Sequence, residues 1–521
     1  MRFWSKTARL MLTLAMAMAL VLPVGPAGAA EGQVGFARID ILAVNDFHGA
    51  LVEAGKNPGA AKLGGYLLAE KAKNPGGTLI LSAGDMFQGT PDSNMGYGKA
   101  VVRVMNAIGF DAMVLGNHEF DWGLDQLKAR IGESKFPYLA ANIIDNNTGK
   151  PVDFVQPTVM IEKNGVKIGI IGIVTPETAY TTSPQAVSGF TFGDPATVVN
   201  ALAPALRQQG AQVIVVLAHL ASDMDKSGEV TGDAADLARA ASGVDVIISA
   251  HSHKKVAGIV NGVAIVQGSY NGRNVGKVGL VYAKAEGRVV AKIVDAGDLV
   301  PDKLTADARI KTIVDENERA LKPVKNVILG RTARNLSHDK MQLSLLGQWT
   351  ADVMREVAGA DMAFGNGGGL RTGIPAGNIT MGALYEVMPF DNILVTMDLT
   401  GTQVLQVLNW GIGNRKIGSV QFSGLRVICD SSRPEGQQVL SVTLPDGSPL
   451  DLNRIYKVVT NDFMAAGGDQ YDMFKDGQNR TDTFVPLREA LIEAVKKTRV
   501  IDFQGDNRLF DVHAPAAAPA A

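Results

Sequence analysis

Acidic, amide and histidine side chains directly follow apolar runs at five places in the first half of the chain. The 521 residues include only seven histidines, and five of them lie in these places. A single His or Asp after a strand is usually structural, and such an Asp is often a helix N-cap. Together, carboxylate and imidazole groups without thiolate indicate a site for hard to borderline divalent cations. The segments are NDFHG (45–49), GD (84–85), GNHEFD (116–121), AHL (218–220) and AHSH (250–253).

These residue types fit a pair of cations, because a short carboxylate such as Asp85 can bridge two metal ions. With two carboxylates against two dications, the bare site keeps a net charge of about +2, which neutral Asn117 and the imidazoles preserve. Such a site attracts a phosphate dianion and can lower the pKa of a bound water, so that hydroxide forms near neutral pH. The pattern therefore favours hydrolytic chemistry on a phosphate group.

Six apolar runs must position these side chains. The runs are IDILAV (39–44), TLILS (78–82), AMVL (112–115), KIGIIGIV (167–174), VIVVLA (213–218) and VDVIIS (244–249). They are rich in Val, Ile and Leu and nearly continuous, as strands covered on both faces are. Strands that alternate with helical stretches predict a layered α/β fold, in which sites form beyond the carboxyl ends of the strands. The five segments are therefore expected to converge at one edge.

A charged helical stretch separates this region from a second one. TADARIKTIVDENERALKPV (305–324) has apolar residues at near-helical spacing, which predicts a solvent-bridging helix that Pro323 ends. The second region contains the Gly-rich turn FGNGGGLRTG and the strand-like runs NILVTMDL and IYKVVTN, which indicate another α/β unit. The predicted division is an export signal at 1–29, a first domain at 39–300, a linker helix at 301–324, a second domain at 325–510 and a disordered tail at 511–521.

The N-terminus has the features of an export signal. Three basic residues within the first nine precede the apolar run LMLTLAMAMALVLPV, and AGA (27–29) offers the small residues of a cleavage site. We expect cleavage near Ala29 or Ala30 and a periplasmic, cell-surface or secreted protein, with an uncleaved membrane anchor as the alternative. No later segment has the length and hydropathy of a transmembrane helix.

Composition limits the class of protein to which the chain can belong. Hydrophobic residues at 46% and charged residues at 20% are typical of globular domains. A formal net charge of -2 gives no electrostatic reason to expect a nucleic-acid polymer as partner. Cys429 is the only cysteine, which excludes intrachain disulfides.

In order and spacing, the five segments resemble the calcineurin-type metallophosphoesterase domain of the 5'-nucleotidase family. The resemblance covers residues 39–510 and implies a dimetal domain followed by a substrate-binding domain. The cations would be Zn, Mn, Co or similar ions. The family varies at the position of His253, where Gln or Asn also occurs. The ligands that the resemblance implies are Asp46, His48, Asp85 and His253 for one cation, and Asp85, Asn117, His219 and His251 for the other.

The resemblance gives His118 a role other than metal binding. In the family this histidine, with the acid three positions later, here Asp121, stabilises the transition state at the phosphoryl group. The spacing agrees, because residues three apart on a helical turn can touch. A neighbouring carboxylate favours the protonated imidazole, which can donate to phosphate oxygens. Glu119 is interpreted as a solvated or structural residue.

The substrate pocket is expected in the second domain. The resemblance implies that Arg371 binds the substrate phosphate, and that Phe390 and Phe463 stack on either side of the base. Aromatic stacking holds a nucleobase with little dependence on its hydrogen-bonding edge. The residues implied for the pocket are Asn366, Gly368, Arg371, Phe390, Asn392, Gly424, Phe463 and Asp469.

One segment departs from the family pattern. Family members carry Arg before the first helix of the second domain, where this chain has NLSHDKMQLSLLGQW (335–349). Lys340 or Arg334 could take over this role, although a Lys lacks the bidentate fork of a guanidinium.

The resemblance thus implies a metal-dependent nucleotide phosphohydrolase, a 5'-nucleotidase that could also hydrolyse UDP-sugars, and the N-terminal signal predicts that it is exported. A 2',3'-cyclic-nucleotide 2'-phosphodiesterase/3'-nucleotidase is an alternative with the same chemistry. A non-catalytic nucleotide-binding surface protein is an alternative of another class, although such a protein would be expected to have lost metal ligands.

Overall fold

The computed structural model describes residues 35–182 and 184–513. The predicted export signal at 1–29 and residues 514–521 of the predicted tail lie outside the described residues. The predicted disordered tail starts at residue 511, but Asp511 ends the strand Leu509–Asp511, which pairs in parallel with Arg426–Cys429. The folded chain therefore extends to Asp511, since residue 511 aligns with Cys429 in this pairing.

Two six-stranded sheets form the first part of the protein. The first contains, in spatial order, Arg288–Asp298, Asn274–Ala283, Phe36–Val44, Thr78–Ser82, Ala112–Val114 and Tyr138–Leu139. The second contains Lys255–Val260, Val263–Gly268, Val246–Ile248, Val213–His219, Val166–Val174 and Thr158–Lys163. In both sheets the central strands are parallel, and antiparallel strands lie at one or both edges. Each of the six predicted runs overlaps one of these strands.

The second sheet is apolar on both faces, as its continuous hydrophobic runs predict. Val215 and Ile248 belong to the core cluster that the two sheets share. Their neighbours Val216 and Ile247 belong to a separate cluster with the outer helices. Because side chains alternate between the faces of a strand, each run supplies two cores at once. The layered α/β prediction is confirmed, as two facing sheets with helices outside them.

Helices and short strands complete this part. The helices are Gly59–Ala72, Pro91–Asn94, Lys99–Ile108, Gly123–Glu133, Thr178–Thr181, Pro184–Val187, Pro195–Gln208 and Asp233–Ala240. The short strands are Ile143–Asp145, Lys150–Pro151, Phe190–Phe192, Asp223–Met224 and Val230–Thr231.

The predicted linker helix spans Ala308–Lys325 and differs from its prediction in two ways. Pro323 lies inside the last turn and does not end the helix. The helix is also not surrounded by solvent, because Ile310 and Val314 are buried in the core of the first part, against the helices Gly59–Ala72 and Lys99–Ile108. A near-helical apolar stripe of this kind needs a packing partner, and the adjacent helices supply one.

A five-stranded mixed sheet forms the centre of the second part. Its spatial order is Gln421–Ser423, Met362–Gly365, Ile455–Asn461, Ile393–Thr400 and Gln478–Pro486. Two three-stranded sheets flank it, formed by Gly377–Thr380, Ile328–Thr332 and Val500–Ile501, and by Val439–Thr443, Arg426–Cys429 and Leu509–Asp511. The helices are Leu345–Ala358, Met381–Val387, Gly401–Gly411, Asp462–Ala465 and Leu487–Thr498.

Candidate active site

The predicted metal ligands lie at strand ends of both sheets in the first part. Asp46, Asp85 and Asn117 follow parallel strands of the first sheet. His219 ends a central strand of the second sheet, and His251 follows its parallel neighbour. The site thus forms where the carboxyl ends of two facing sheets meet.

Three of the predicted ligands form one cluster. Metal-binding atoms of Asp46, His48 and His253 lie within 4.8 Å of one another. His48 Nδ1 lies 2.9 Å from the carbonyl oxygen of Gln88, to which it donates, so Nε2 keeps its lone pair. That Nε2 lies 3.0 Å from His253 Nε2, which is itself 3.5 Å from Asp46 Oδ1. Electron-pair donors that converge in this way fit a cation.

A second cluster contains Asp85, His219 and His251, again with metal-binding atoms within 4.8 Å. His219 Nδ1 donates to the carbonyl oxygen of Ala83 at 2.8 Å, which leaves the lone pair of Nε2 directed into the cluster. This Nε2 lies 3.2 Å from Asp85 Oδ2 and 3.1 Å from Asn117 Oδ1. Three acceptor atoms therefore face one another, an arrangement that a cation would stabilise.

Asn117 is oriented by its own hydrogen bond. Its Nδ2 donates to the carbonyl oxygen of Thr181 at 3.1 Å, so Oδ1 is the atom that faces His219. Gly116, just before it, allows the close approach, because a Cβ there would lie 2.2 Å from Asp85 Oδ1. Neutral amide coordination remains the predicted role of Asn117.

The backbone of five predicted ligands adopts left-handed conformations. The φ angles are 47° at Asp46, 50° at His48, 54° at Asp85, 70° at His251 and 58° at His253. Such conformations cost of order 1–3 kcal/mol each in non-glycine residues and cluster at functional sites. The surrounding sheets must supply the free energy that holds these side chains together.

Glu119, left open between a solvated and a structural role, is buried and structural. Its carboxylate accepts hydrogen bonds from the backbone N–H groups of Gly116, Asp85 and Met86 at 2.7, 2.8 and 2.9 Å. Burial and the nearby Asp85 charge raise the pKa of Glu119 to about 7. Glu119 thus joins the two segments that carry Asp85 and Asn117.

His118 and Asp121 form an ion pair beside the clusters. His118 begins a short 3-10 helix, and its Nδ1 lies 2.7 Å from Asp121 Oδ2. Thr182 Oγ1 donates to the other carboxylate oxygen at 2.7 Å, which fixes the acid. Burial disfavours a charged ring, but the Asp121 and Asp85 carboxylates outweigh it and raise the pKa of His118 to about 9. The Asp121 carboxylate at Nδ1 favours the protonated ring, and Nε2 is the nitrogen left to donate to a substrate.

Two predicted pocket residues of the second part lie next to this pair. The Phe390 ring centroid is 6.1 Å from that of His118, and the Arg371 guanidinium is 5.9 Å from the Phe390 ring. The Arg371 side chain is exposed and follows the turn that contains Gly368. The fold thus places a cation and an aromatic ring of one domain beside the acid–histidine pair of the other.

The other predicted pocket residues divide into two sets. Asn366 Nδ2 donates to Asp469 Oδ2 at 3.0 Å, which joins the Gly-rich turn to the segment after Phe463. Asn392 Nδ2 donates to the carboxylate of Asp462 at 2.8 Å, the residue before Phe463. These contacts bring Asn366, Asn392, Phe463 and Asp469 together at one end of the central strands in the five-stranded sheet.

Gly424 does not join this group. A Cβ there would lie 2.2 Å from the carbonyl oxygen of Asp361, just before the strand Met362–Gly365. Asn366 follows the opposite end of that strand, so Gly424 is separated from the pocket by the strand's length. Its φ of +84° and this close backbone approach account for the glycine.

Of the two basic residues proposed to replace the family Arg, Lys340 is the nearer to the Gly-rich turn. A Cβ at Gly367 would lie 2.4 Å from the Lys340 carbonyl oxygen, so the two backbones are in contact. Arg334 instead pairs with Asp502 at 2.8 Å, and both side chains are about half exposed.

Sequence reasoning missed two residues of the site region. His338 Nε2 lies 3.1 Å from the carbonyl oxygen of Gly367, and its Nδ1 lies 2.8 Å from Oγ of Ser344, the N-cap of helix Leu345–Ala358. Glu177 Oε2 lies 3.2 Å from His251 Nε2. The sequence contained a feature that could have identified Glu177, because this residue follows Val166–Val174, the one predicted strand to which no site residue was assigned.

Two family models match the chain. Residues 39–255 match the calcineurin-like phosphoesterase model, and residues 324–476 match the model of the 5'-nucleotidase C-terminal domain. Between residues 35 and 513, residue 183 excepted, no helix has the length and apolar character needed to cross a membrane.

Relatives and known structures agree with these matches. A 5'-nucleotidase of Vibrio vulnificus is 30% identical over 519 aligned residues, which cover 89% of this chain and 91% of the relative. Endonuclease YhcR of Bacillus subtilis is 31% identical over 459 residues, covering 83% of this chain, which spans 37% of that longer protein.

The crystal structure of a 5'-nucleotidase precursor from Thermus thermophilus superposes with a TM-score of 0.78 at 29% identity, covering 92% of this chain and all of that one. The similarity therefore includes both domains. The chain belongs to the 5'-nucleotidase family, whose calcineurin-like phosphoesterase domain makes it a phosphoric ester hydrolase.

Proposed function

We propose that this protein is an exported nucleotide phosphohydrolase that acts as a 5'-nucleotidase with two bound divalent cations. The observation that carries the proposal is the position of Phe390 and Arg371 next to His118. A charged group for phosphate, an aromatic face for a base and the acid–histidine pair then lie within reach of one small nucleotide. The Vibrio relative, a 5'-nucleotidase, supports the same activity.

The two cations, when bound, neutralise charge on the phosphoryl oxygens and lower the pKa of the attacking water. Protonated His118, held by Asp121, donates to a phosphoryl oxygen as negative charge develops there. Arg371 binds the phosphate with its planar fork and draws it towards this pair. The proposed ligands are Asp46, His48, Asp85 and His253 for one cation, and Asp85, Asn117, His219 and His251 for the other.

The second domain would select the nucleoside. Phe390 and Phe463 stack on the base, while Asp469 accepts hydrogen bonds from ribose hydroxyls. Lys340, whose backbone touches the Gly-rich turn, adds positive charge but lacks a bidentate fork. Nucleotide binding therefore depends mainly on Arg371 among the basic residues of this region.

A cyclic-nucleotide phosphodiesterase is the second candidate. The YhcR relative is an endonuclease, which cleaves phosphodiesters, and Lys340 in place of an Arg weakens the match to a 5'-phosphate site. The same His118–Asp121 pair could serve a 2',3'-cyclic phosphodiester.

Phosphate release, measured together with the nucleotide products, distinguishes these candidates. Purified protein would be assayed with AMP, UDP-glucose and 2',3'-cyclic AMP in Mn²⁺ or Zn²⁺, with and without chelator. We expect metal-dependent release from AMP with the highest kcat/KM of the panel. Opening of the cyclic phosphodiester gives a nucleoside monophosphate and frees no phosphate until that product is hydrolysed in turn, so the nucleotide products would be separated by chromatography. A preference for the cyclic substrate would favour the second candidate, and no hydrolysis of any substrate would contradict both. In that case the non-catalytic alternative would apply.

Export would be tested separately, in a cell that makes the full chain. N-terminal sequencing of the protein from the extracytoplasmic fraction should begin near Ala29 or Ala30. A product that starts at residue 1 and stays in the cytoplasmic fraction would contradict export.

A further inference from the structure

Glu177 lies between the candidate metal centre and the second domain. It follows the strand Val166–Val174, whose last residue pairs with His219 in the second sheet. The backbone N–H of Glu177 donates to Thr175 Oγ1 at 3.2 Å, which holds the turn after the strand. Glu177 is therefore built into the same sheet edge as the predicted ligands, although it is not one of them.

The two carboxylate oxygens of Glu177 have different partners. Oε2 lies 3.2 Å from Nε2 of the predicted ligand His251. Oε1 lies 2.6 Å from Nζ of Lys416, which belongs to the second domain. Lys416 also lies 5.8 Å above the ring of Tyr180, on the turn of helix next to Glu177.

Lys416 is itself held in place by the second domain. Its backbone N–H donates to Asn414 Oδ1 at 3.0 Å, in the turn after helix Gly401–Gly411. Trp410, in the last turn of that helix, donates from Nε1 to the backbone carbonyl of Asp469 at 3.0 Å. Asn414 Nδ2 donates to the carbonyl oxygen of Trp410 at 3.1 Å, so a continuous set of contacts runs from the proposed substrate pocket to Lys416.

We propose that Glu177 is a positioning residue that orients His251 for metal binding and that, through Lys416, joins the metal centre to the second domain. A carboxylate at Nε2 keeps the proton on that nitrogen, so Nδ1 presents its lone pair to the second cation. The same carboxylate anchors Lys416 only when the two domains are in contact here. This inference rests on the proposed dimetal site.

Metal affinity is the first readout, since it does not depend on turnover. Metal-stripped full-length protein would be titrated with Mn²⁺ against a chelating dye. Loss of the carboxylate in Glu177→Ala should weaken the affinity for the second cation by about 10- to 100-fold, the usual effect of removing a hydrogen-bond partner of a metal ligand. Glu177→Gln keeps an acceptor oxygen without the charge and should fall between Glu177→Ala and the natural protein. Glu316→Gln is a matched control, because Glu316 is an ion-paired surface acid, 2.7 Å from Arg103.

Lys416→Met tests the contact between the domains. The variant should bind Mn²⁺ within about twofold of the natural protein, but should raise the KM for AMP by about two- to fivefold, the value of a partly exposed ion pair. Turnover of p-nitrophenyl phosphate, which has no nucleoside for the second domain to hold, should not change. An unchanged KM for AMP would contradict the contact with the second domain.

The outcomes separate this proposal from the proposed function. If the natural protein binds two Mn²⁺ ions and Glu177→Ala and Glu177→Gln bind them equally well, the positioning role is wrong and the proposed function stands. If the natural protein binds no divalent cation, both are wrong. Circular dichroism checks that the variants fold. If Glu177→Ala does not fold, Glu177→Gln, which keeps the size of the side chain, decides the question.

Discussion

At the scale of single residues, adjacent side chains in GNHEFD have different surroundings. Asn117 directs its Oδ1 into the second cluster, whereas His118 pairs with Asp121 and lies next to Phe390. Glu119 points the other way and accepts three backbone hydrogen bonds. The chain turns sharply after the strand, so consecutive side chains point in different directions and have separate roles.

Substitution of His118 should therefore separate chemistry from metal binding. His118→Ala removes a charged donor at the phosphoryl group and should lower kcat by about 10²- to 10³-fold. Its metal content, measured by inductively coupled plasma mass spectrometry, should equal that of the natural protein. Asn117→Ala should lose one cation under the same conditions. Loss of metal in His118→Ala would contradict the division of roles.

Replacement of Glu119 should affect stability rather than ligand chemistry. In Glu119→Gln one acceptor oxygen becomes an NH₂ group that faces a buried backbone donor, which costs about 1–3 kcal/mol for each unsatisfied group. We expect a lower midpoint of unfolding in urea for the first domain. Glu229→Gln, at an exposed position of the first domain, is the control and should leave the midpoint unchanged. Equal midpoints for the two variants would argue against a structural role.

At the scale of elements, the helix Ala308–Lys325 packs one face, with Ile310 and Val314, into the first domain's core. Ile310 is fully buried and packs on Gly64 of the helix Gly59–Ala72. A Cβ at Gly64 would lie 2.2 Å from Ile310 Cδ1. The contact fixes how the chain leaves the first domain, and hence where the second domain begins.

A double-mutant cycle tests this packing. Gly64→Ala should destabilise the natural protein through overpacking, but less so in Ile310→Val, which lacks the clashing methyl group. We expect a coupling free energy of about 1 kcal/mol, from urea unfolding of the four proteins. Gly132→Ala, a helical position with open space around its Cβ, should show no coupling to Ile310→Val. Additive effects at Gly64 and Ile310 would rule out the contact.

At the scale of the whole molecule, the two domains meet in contacts on both sides of the site. Asn94 Nδ2 of the first domain donates to the carbonyl oxygen of Pro389 in the second domain at 3.1 Å. Nearby, Asp92 pairs at 2.6 Å with Lys325, the last residue of the helix that links the domains. On the other side Glu177 pairs with Lys416. The site is therefore completed by an interface, while all the predicted metal ligands lie in one domain.

Metal removal should consequently affect the domains unequally. Cations that bind only the folded first domain stabilise it by about 4 kcal/mol when present at a thousand times their Kd. Differential scanning calorimetry with chelator should lower the melting temperature of the first domain and leave that of the second nearly unchanged. A shift of equal size in both transitions would indicate that the domains unfold as one unit.

The sequence alone identified six of the twelve strands in the two six-stranded sheets, the layered α/β class and the residue types of a metal site, because these depend on local patterns. Continuous apolar runs predict strands buried on both faces, and polar residues directly after them predict a common edge. The resemblance to a family was carried by the same segments, which explains why the domain matches agree with it.

Only the tertiary structure decided which distant residues share a site. Gly424 lies against Asp361, at the end of the strand Met362–Gly365 opposite to Asn366, and the linker helix buries Ile310 and Val314 in the first core. Glu177 and His338 reach the site through contacts with residues far away in the chain. Such contacts depend on which end of a strand a turn occupies and on which face of a helix finds a partner, and sequence spacing does not specify either.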